Sequence, residues 1–145
     1  MKDYYLKIQE RDNYCICSVL QAIFKKYNLL ISQENIADNL TPSEKGFLAD
    51  DDRIKIFLRD NHFKYEFYWH NSTPFNEPDM FLREMNENNG LIGMNNHVYL
   101  LNEFIDPLLK MTNPEDAKLM NTNLFFITKE MHEKGGFFGL LKYIF

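Results

Sequence analysis

The sequence predicts an α+β fold, with helices first and an antiparallel sheet after them. Apolar residues recur at three- and four-residue steps over residues 13–27, the period of a helix buried along one face. Beyond His62 the period changes to two: Phe63, Tyr65, Phe67 and Trp69 alternate with Lys64, Glu66 and Tyr68, as in a strand with one aromatic face. At 145 residues the chain has the length of one domain, 1–145, able to bury a real core.

Taken in order, the first helix puts Ile16, Val19, Leu20, Ile23, Phe24 and Tyr27 on one face. Asp12 or Asn13 serves as its N-cap, so Cys15 falls in the first turn. A short helix is expected after Ser32, carrying Ile36, Ala37 and Leu40, and TPSEKG reads as loop. A third helix is predicted over about 47–62 with Leu48, Ile54, Phe57 and Leu58 inward. The acidic run at 49–52 caps its N-terminus, where carboxylates meet the positive end of the helix dipole. After the aromatic strand come a loop, NSTPFNEP, and a short helix over 80–87 ended by an Asn-Asn-Gly turn. Strands are expected at 91–94, 97–101 and 108–112, the last two joined through EFIDP with Pro107 closing the turn. Residues 114–121 read as a polar helix and 124–128 as a final strand. The core is expected over about 5–130, leaving 131–145 as an apolar tail. Phe137, Phe138, Leu140, Leu141, Ile144 and Phe145 are too many large apolar groups to leave in water. That tail folds back on the domain, or it docks on a partner or a membrane surface.

Composition excludes several functions. A net charge of −5 without any Lys/Arg cluster argues against nucleic acid, which needs a concentrated basic face. The charged opening MKDYYLKIQERDNY lacks the apolar core of a signal peptide, and no apolar run approaches the ~20 residues of a membrane span. A cytoplasmic location is therefore expected. Cys15 and Cys17, one residue apart, are too close along the chain to bridge readily and have no distant partner, which suits a reducing compartment or catalysis. The four histidines lack ligand spacing, so neither metal nor cofactor is expected.

Nucleophilic cysteine chemistry needs a thiolate, a base, a group that orients the base, and donors for the developing oxyanion. Cys15, in the first turn of a helix, sits where the dipole favours a thiolate. Gln9, six residues earlier, lies on the segment that enters that helix and can aim an amide N–H at the same place as the first-turn backbone. His97 opens a strand, HVYLL, whose partner ends at Asn113-Pro114, and hairpin pairing makes the start of one strand the neighbour of the end of the other. An Asn oxygen beside one ring nitrogen leaves the other for the thiol.

This set of residues resembles the bacteriocin-processing, double-glycine-leader cysteine peptidases of the papain-like superfamily. The likeness lies in Gln9-x5-Cys15 at a helix start, the SQENIADNL helix, the strand-leading His97 and the Asn113-Pro114 end of the return strand, and it runs over about 9–126. It implies a papain-like fold and a bacterial hydrolase acting on a peptide or protein substrate. Cys15 is then the nucleophile, His97 the general base and acid, Asn113 the orienter and Gln9 the oxyanion donor. Ile16 and Asn96 stand where that family commonly has Gly, and Asn113 where Asp is more frequent. Related stand-alone domains transfer acyl groups to amines with the same residues. The alternative is a papain-like fold kept as a binding or immunity-type module without turnover.

Other residues compete for these roles. Asp106 is the second candidate orienter, in the turn after the His97 strand. Cys17 is turned about 200° from Cys15 around the helix and reads as core. His62 and His70 read as surface residues and His132, in a polar segment, has no role, whereas Trp69 and Tyr68 line a cleft beside the sheet or, as an aromatic stripe at strand spacing, belong to the core.

Overall fold

A computed structural model describes residues 1–71 and 78–144. Most of the NSTPFNEP loop and Phe145 lie outside the described residues. The elements run α1 (Cys15–Lys26), α2 (Gln33–Asp38), β1 (Pro42–Ser43), β2 (Gly46–Phe47), α3 (Asp52–Asp60), β3 (Phe63–Trp69), α4 (Pro78–Glu87), β4 (Asn89–Met94), β5 (His97–Ile105), β6 (Leu108–Asn113), β7 (Lys118–Asn123), α5 (Leu124–Lys134) and β8 (Gly136–Tyr143). Six strands form one antiparallel sheet in the order β3-β8-β4-β5-β6-β7, and β1 and β2 form a separate hairpin. This is the expected α+β class.

Period-2 alternation divides the core between the two faces of the sheet. Leu91, Leu100 and Leu141 pack with Ile16, Leu20, Ile23, Phe24, Ile54 and Leu58 of α1 and α3. Their neighbours Ile92, Leu101 and Leu140 face Leu82 and Met85 of α4 and Ile127 and Met131 of α5. Each helical stripe thus covers one sheet face, and α1 crosses β5 at the end where the candidate residues lie.

Several boundaries differ from the sequence reading. Tyr14, not Asp12 or Asn13, is the residue before α1, and its side chain makes no capping hydrogen bond. Residues 11–14 are drawn into a turn by the Tyr14 N–H donating to the Arg11 carbonyl at 3.0 Å, which moves the helix start to Cys15. The third helix begins at Asp52 because Asp51 caps it, its carboxylate accepting from the Arg53 N–H at 2.7 Å. Gly46, at φ 132, instead turns the preceding segment into the β1–β2 hairpin, which leaves Leu48 exposed rather than inward.

The two final assignments are exchanged. Residues 114–117 form a turn held by two Asx interactions, Asn113 Oδ1 with the Glu115 N–H and Asp116 Oδ1 with the Lys118 N–H, and the chain then returns as β7. Residues 124–128 begin α5, since Asn123 caps a helix there by accepting from the Phe126 N–H at 2.8 Å. That cap outweighs the β propensity of Phe125, Phe126, Ile127 and Thr128. The expected apolar tail is β8, an interior strand bonded to β3 on one side and β4 on the other, with Phe138, Leu140 and Leu141 fully buried. Its apolar run is that of a strand covered on both faces, not of a docking segment.

Candidate active site

His97 is placed by a two-residue turn. Met94 pairs with His97, so β4 and β5 are joined by Asn95 and Asn96 alone, at φ 57° and 58°. Two consecutive left-handed residues make the type I′ turn that suits strand twist, and Asn tolerates that conformation best after Gly. Asn96 therefore fills the backbone role that a Gly would have before the histidine.

Across the β5–β6 pair, Leu100 stands opposite Thr112. One further step puts Asn113 opposite Tyr99, diagonal to His97 on the same face. The His97 ring lies edge-on to Tyr99, 4.9 Å between centroids. Its Nε2 is 2.7 Å from Asn113 Oδ1, the same atom that accepts the Glu115 backbone N–H at 3.0 Å. A backbone N–H can only donate, so that atom is the amide oxygen, and the His97 nitrogen facing it carries the proton. In the neutral ring Nδ1 then has a free lone pair. The exposed Glu115 carboxylate stands 3.8 Å from Nδ1.

Cys15 opens α1 and lies against β5. Burial pushes its thiol above the ordinary range, opposed by the backbone N–H groups of Val98, Ile16 and Cys15 itself, while the Glu115 charge adds to the rise. The expected dipole-driven depression of the thiol is thus outweighed by desolvation. No side chain caps α1 and its first turn holds no acidic residue, so no carboxylate or hydroxyl of its own competes for the first-turn N–H groups. Cys15 and His97 line one cleft of about 420 Å³, with Phe47, Trp69 and Phe137 on its apolar side and Lys45 and Lys134 at its margin. Gly93 and Gly136 belong to the same wall. A Cβ on Gly93 would come within 2.1 Å of the Phe137 ring, so only glycine lets that ring lie there.

Gln9 is near this site but outside the cleft lining. Its backbone N–H donates to Pro114 at 2.9 Å, which sets the entering segment beside the end of β6. Its side-chain Nε2 donates to the carbonyls of Arg11 at 3.1 Å and Asp12 at 2.9 Å, so both amide hydrogens are engaged in the turn before α1. Its Oε1 is buried and has no hydrogen-bond partner among the described residues. The segment is held by fully buried Gln33, which accepts from Glu10 and donates to Ile8 and Lys7. Sequence reasoning treated Gln33 as an ordinary helix residue and passed over Glu115. The Asn-Pro-Glu order was the available sign of an Asx turn.

Asp106 is at the far end of β5, nine residues and about 30 Å from His97, next to a cis Pro107, and paired with Arg83 at 3.6 Å. Cys17 is fully buried, its thiol pushed up to about 12 by burial. Trp69 lines the cleft, whereas Tyr68 points to the opposite face and packs edge-on against Phe81. Among the described residues, no three His, Cys, Asp or Glu side chains converge to hold a metal ion, and no helix is long and apolar enough to cross a membrane.

No family model matches the sequence, and no curated protein matches it. Solved structures do. A double-glycine motif protease from an AMS/PCAT transporter, in complex with its leader peptide, is similar at TM-score 0.70 and 15% identity, over 97% of this chain and 92% of that one. The peptidase domain of Streptococcus ComA, a bi-functional ABC transporter involved in quorum sensing, is similar at 0.69 and 17%, over 97% and 99%. UfSP from C. elegans is similar at 0.65 and 15%, over 97% of this chain and 33% of that one. The fold is that of the papain-like cysteine peptidases. Within that fold its neighbours include double-glycine peptidase domains.

Proposed function

We propose that the chain is a cysteine-dependent hydrolase acting on a peptide or amide bond. The observation that supports this is the His97–Asn113 bond: Asn113 Oδ1 accepts from Nε2, which leaves Nδ1 unprotonated in the neutral ring of a histidine that lines the same cleft as Cys15. Nδ1 takes the Cys15 proton, and the thiolate attacks the substrate carbonyl carbon. The backbone N–H groups of the α1 first turn hold the oxyanion, joined by Gln9 once its amide leaves the Arg11 or Asp12 carbonyl. The His97 imidazolium gives its proton to the departing amine, and a thioester remains on Cys15. Water, deprotonated by His97, releases the acid and restores the thiol; an amine in place of water gives acyl transfer. Two free thiols suit a reducing, cytoplasmic setting. The leader peptide bound by the AMS/PCAT protease supports a peptide as substrate.

Incubation with a random decapeptide library, read by mass spectrometry, tests this. New termini are expected with the wild-type protein and are absent with Cys15→Ala and with His97→Ala. Identical products from all three would overturn the reading.

A second reading is a papain-like binding module without turnover. It is favoured by the burial that raises the Cys15 thiol and by the engagement of both Gln9 amide hydrogens. Peptide binding without any cleavage in the same experiment would select it.

A further inference from the structure

Strand β3 ends the sheet: it pairs with β8 on one side, and among the described residues no segment pairs with its other edge. Beside the first half of that edge lies a second groove of about 410 Å³, between α3 and the strand. Phe63, Tyr65 and Ile144 form its apolar side, and Lys55 and Arg59 of α3 line it; Lys64 lines it at the strand edge, its side chain alternating toward the other face of the sheet, and all three are exposed. Asp60 stands 3.7 Å from Arg59, while Lys55 and Lys64 have no ion-pair partner among the described residues. Lys142, opposite Lys64 in the sheet, is paired with Glu84 at 3.3 Å. On a chain of net charge −5 this is a local concentration of positive charge, of which Lys55 and Lys64 have no ion-pair partner among the described residues.

The groove adjoins the Cys15 cleft. Tyr65, in its wall, donates its hydroxyl at 2.7 Å to the carbonyl of Ala49, which lines the cleft, and Trp69 at the other end of β3 lines the cleft as well. Five residues separate Lys64 from Trp69, about 17 Å of strand. An edge lysine by itself guards a strand against pairing with other copies. That accounts for Lys64 and not for Lys55 and Arg59, one helical turn apart on α3 and facing the same groove.

The geometry points to β3 as the docking edge for the substrate: an extended segment flanking the scissile bond adds alongside β3, and its acidic side chains, about five residues from the one that meets Trp69, reach Lys55 and Arg59 from one face and Lys64 from the other. This rests on the peptide-hydrolase reading and names its substrate class as peptides with an acidic, extended flank. Main-chain bonding to the open edge supplies affinity, and alternate side chains meeting the groove supply selectivity.

Binding is measured on the Cys15→Ala variant, by anisotropy of a fluorescein-labelled capped octapeptide of alternating Glu and Thr and by emission of Trp69, the only tryptophan. The Glu-Thr peptide is expected to bind and to change Trp69 emission. Combined Lys55→Glu, Arg59→Glu and Lys64→Glu substitutions should weaken it roughly tenfold or more, since each places like charge against the peptide. Methylating alternate peptide amides should weaken it comparably. Equal binding of a Lys-Thr peptide, undiminished binding to the triple variant or of the methylated peptide, or no binding at millimolar concentration overturns the proposal. Because the variant lacks the thiol, docking without turnover in the wild-type protein would defeat the hydrolase reading alone and leave the edge site standing.

Discussion

His97 Nε2 and Asn113 Oδ1 stand 2.7 Å apart across the β5–β6 pair, and the Glu115 N–H bonded to the same oxygen fixes which of the two partners donates. Asn113→Ala removes the acceptor for His97 and for Glu115 together. Losing a partly buried hydrogen bond of this kind costs about 1–3 kcal/mol, so Cys15 alkylation at neutral pH should slow by roughly ten- to a hundredfold. Asn113→Asp keeps an acceptor and should retain most of the rate. Asp106→Asn, which disturbs only the Arg83 pair, should leave it unchanged. A loss with Asp106→Asn and none with Asn113→Ala would exchange the two assignments.

Deleting residues from Gly135 onward should abolish cooperative unfolding. β8 lies between β3 and β4, and its Phe138, Leu140 and Leu141 contribute to both core faces. Urea titration followed by circular dichroism checks this; a folded, cooperative remnant would contradict the central position of the strand.

Cys17 gives a pH dependence of stability. Burial raises its thiol from 9.0 to about 12. Below 9 both folded and unfolded chains hold the proton. Between 9 and 12 the unfolded chain releases it first, so unfolding is favoured as pH rises, at up to about 1.4 kcal/mol per pH unit. The urea midpoint of the wild-type protein should therefore fall between about pH 9 and 10. Cys17→Ala should start lower, from the lost packing, and fall less steeply. Parallel slopes would contradict this origin.

Elements with a strong local period were legible in the sequence. The α1 stripe, the Ser32 cap of α2, the alternation in β3 and the β4–β5–β6 run of turn-separated strands all follow from neighbours close along the chain. The adjacency of His97 and Asn113 was legible for the same reason, being a consequence of hairpin pairing. What escaped depends on single side chains or distant partners. Asp51 and Asn123 each fix a helix start that periodicity alone misplaced. β8 was read as a tail because its partners, β3 and β4, lie 42 or more residues upstream and nothing local announces them. The engagement of the Gln9 amide in the Arg11–Tyr14 turn, and the balance between burial and backbone donors at Cys15, exist only in the folded chain.

The central claim, that His97 activates Cys15, is tested most directly by the rate of Cys15 alkylation with iodoacetamide from about pH 5 to 9, in wild type and His97→Ala, with the labelled residue located by mass spectrometry. Burial, aided by the Glu115 charge, holds the thiol above its ordinary range against the backbone N–H groups that oppose it. The wild-type protein should nevertheless react at and below neutral pH, and His97→Ala should lose that reactivity and require pH above the ordinary thiol range. Superimposable alkaline profiles for the two proteins, or labelling of Cys17 before Cys15, would contradict it.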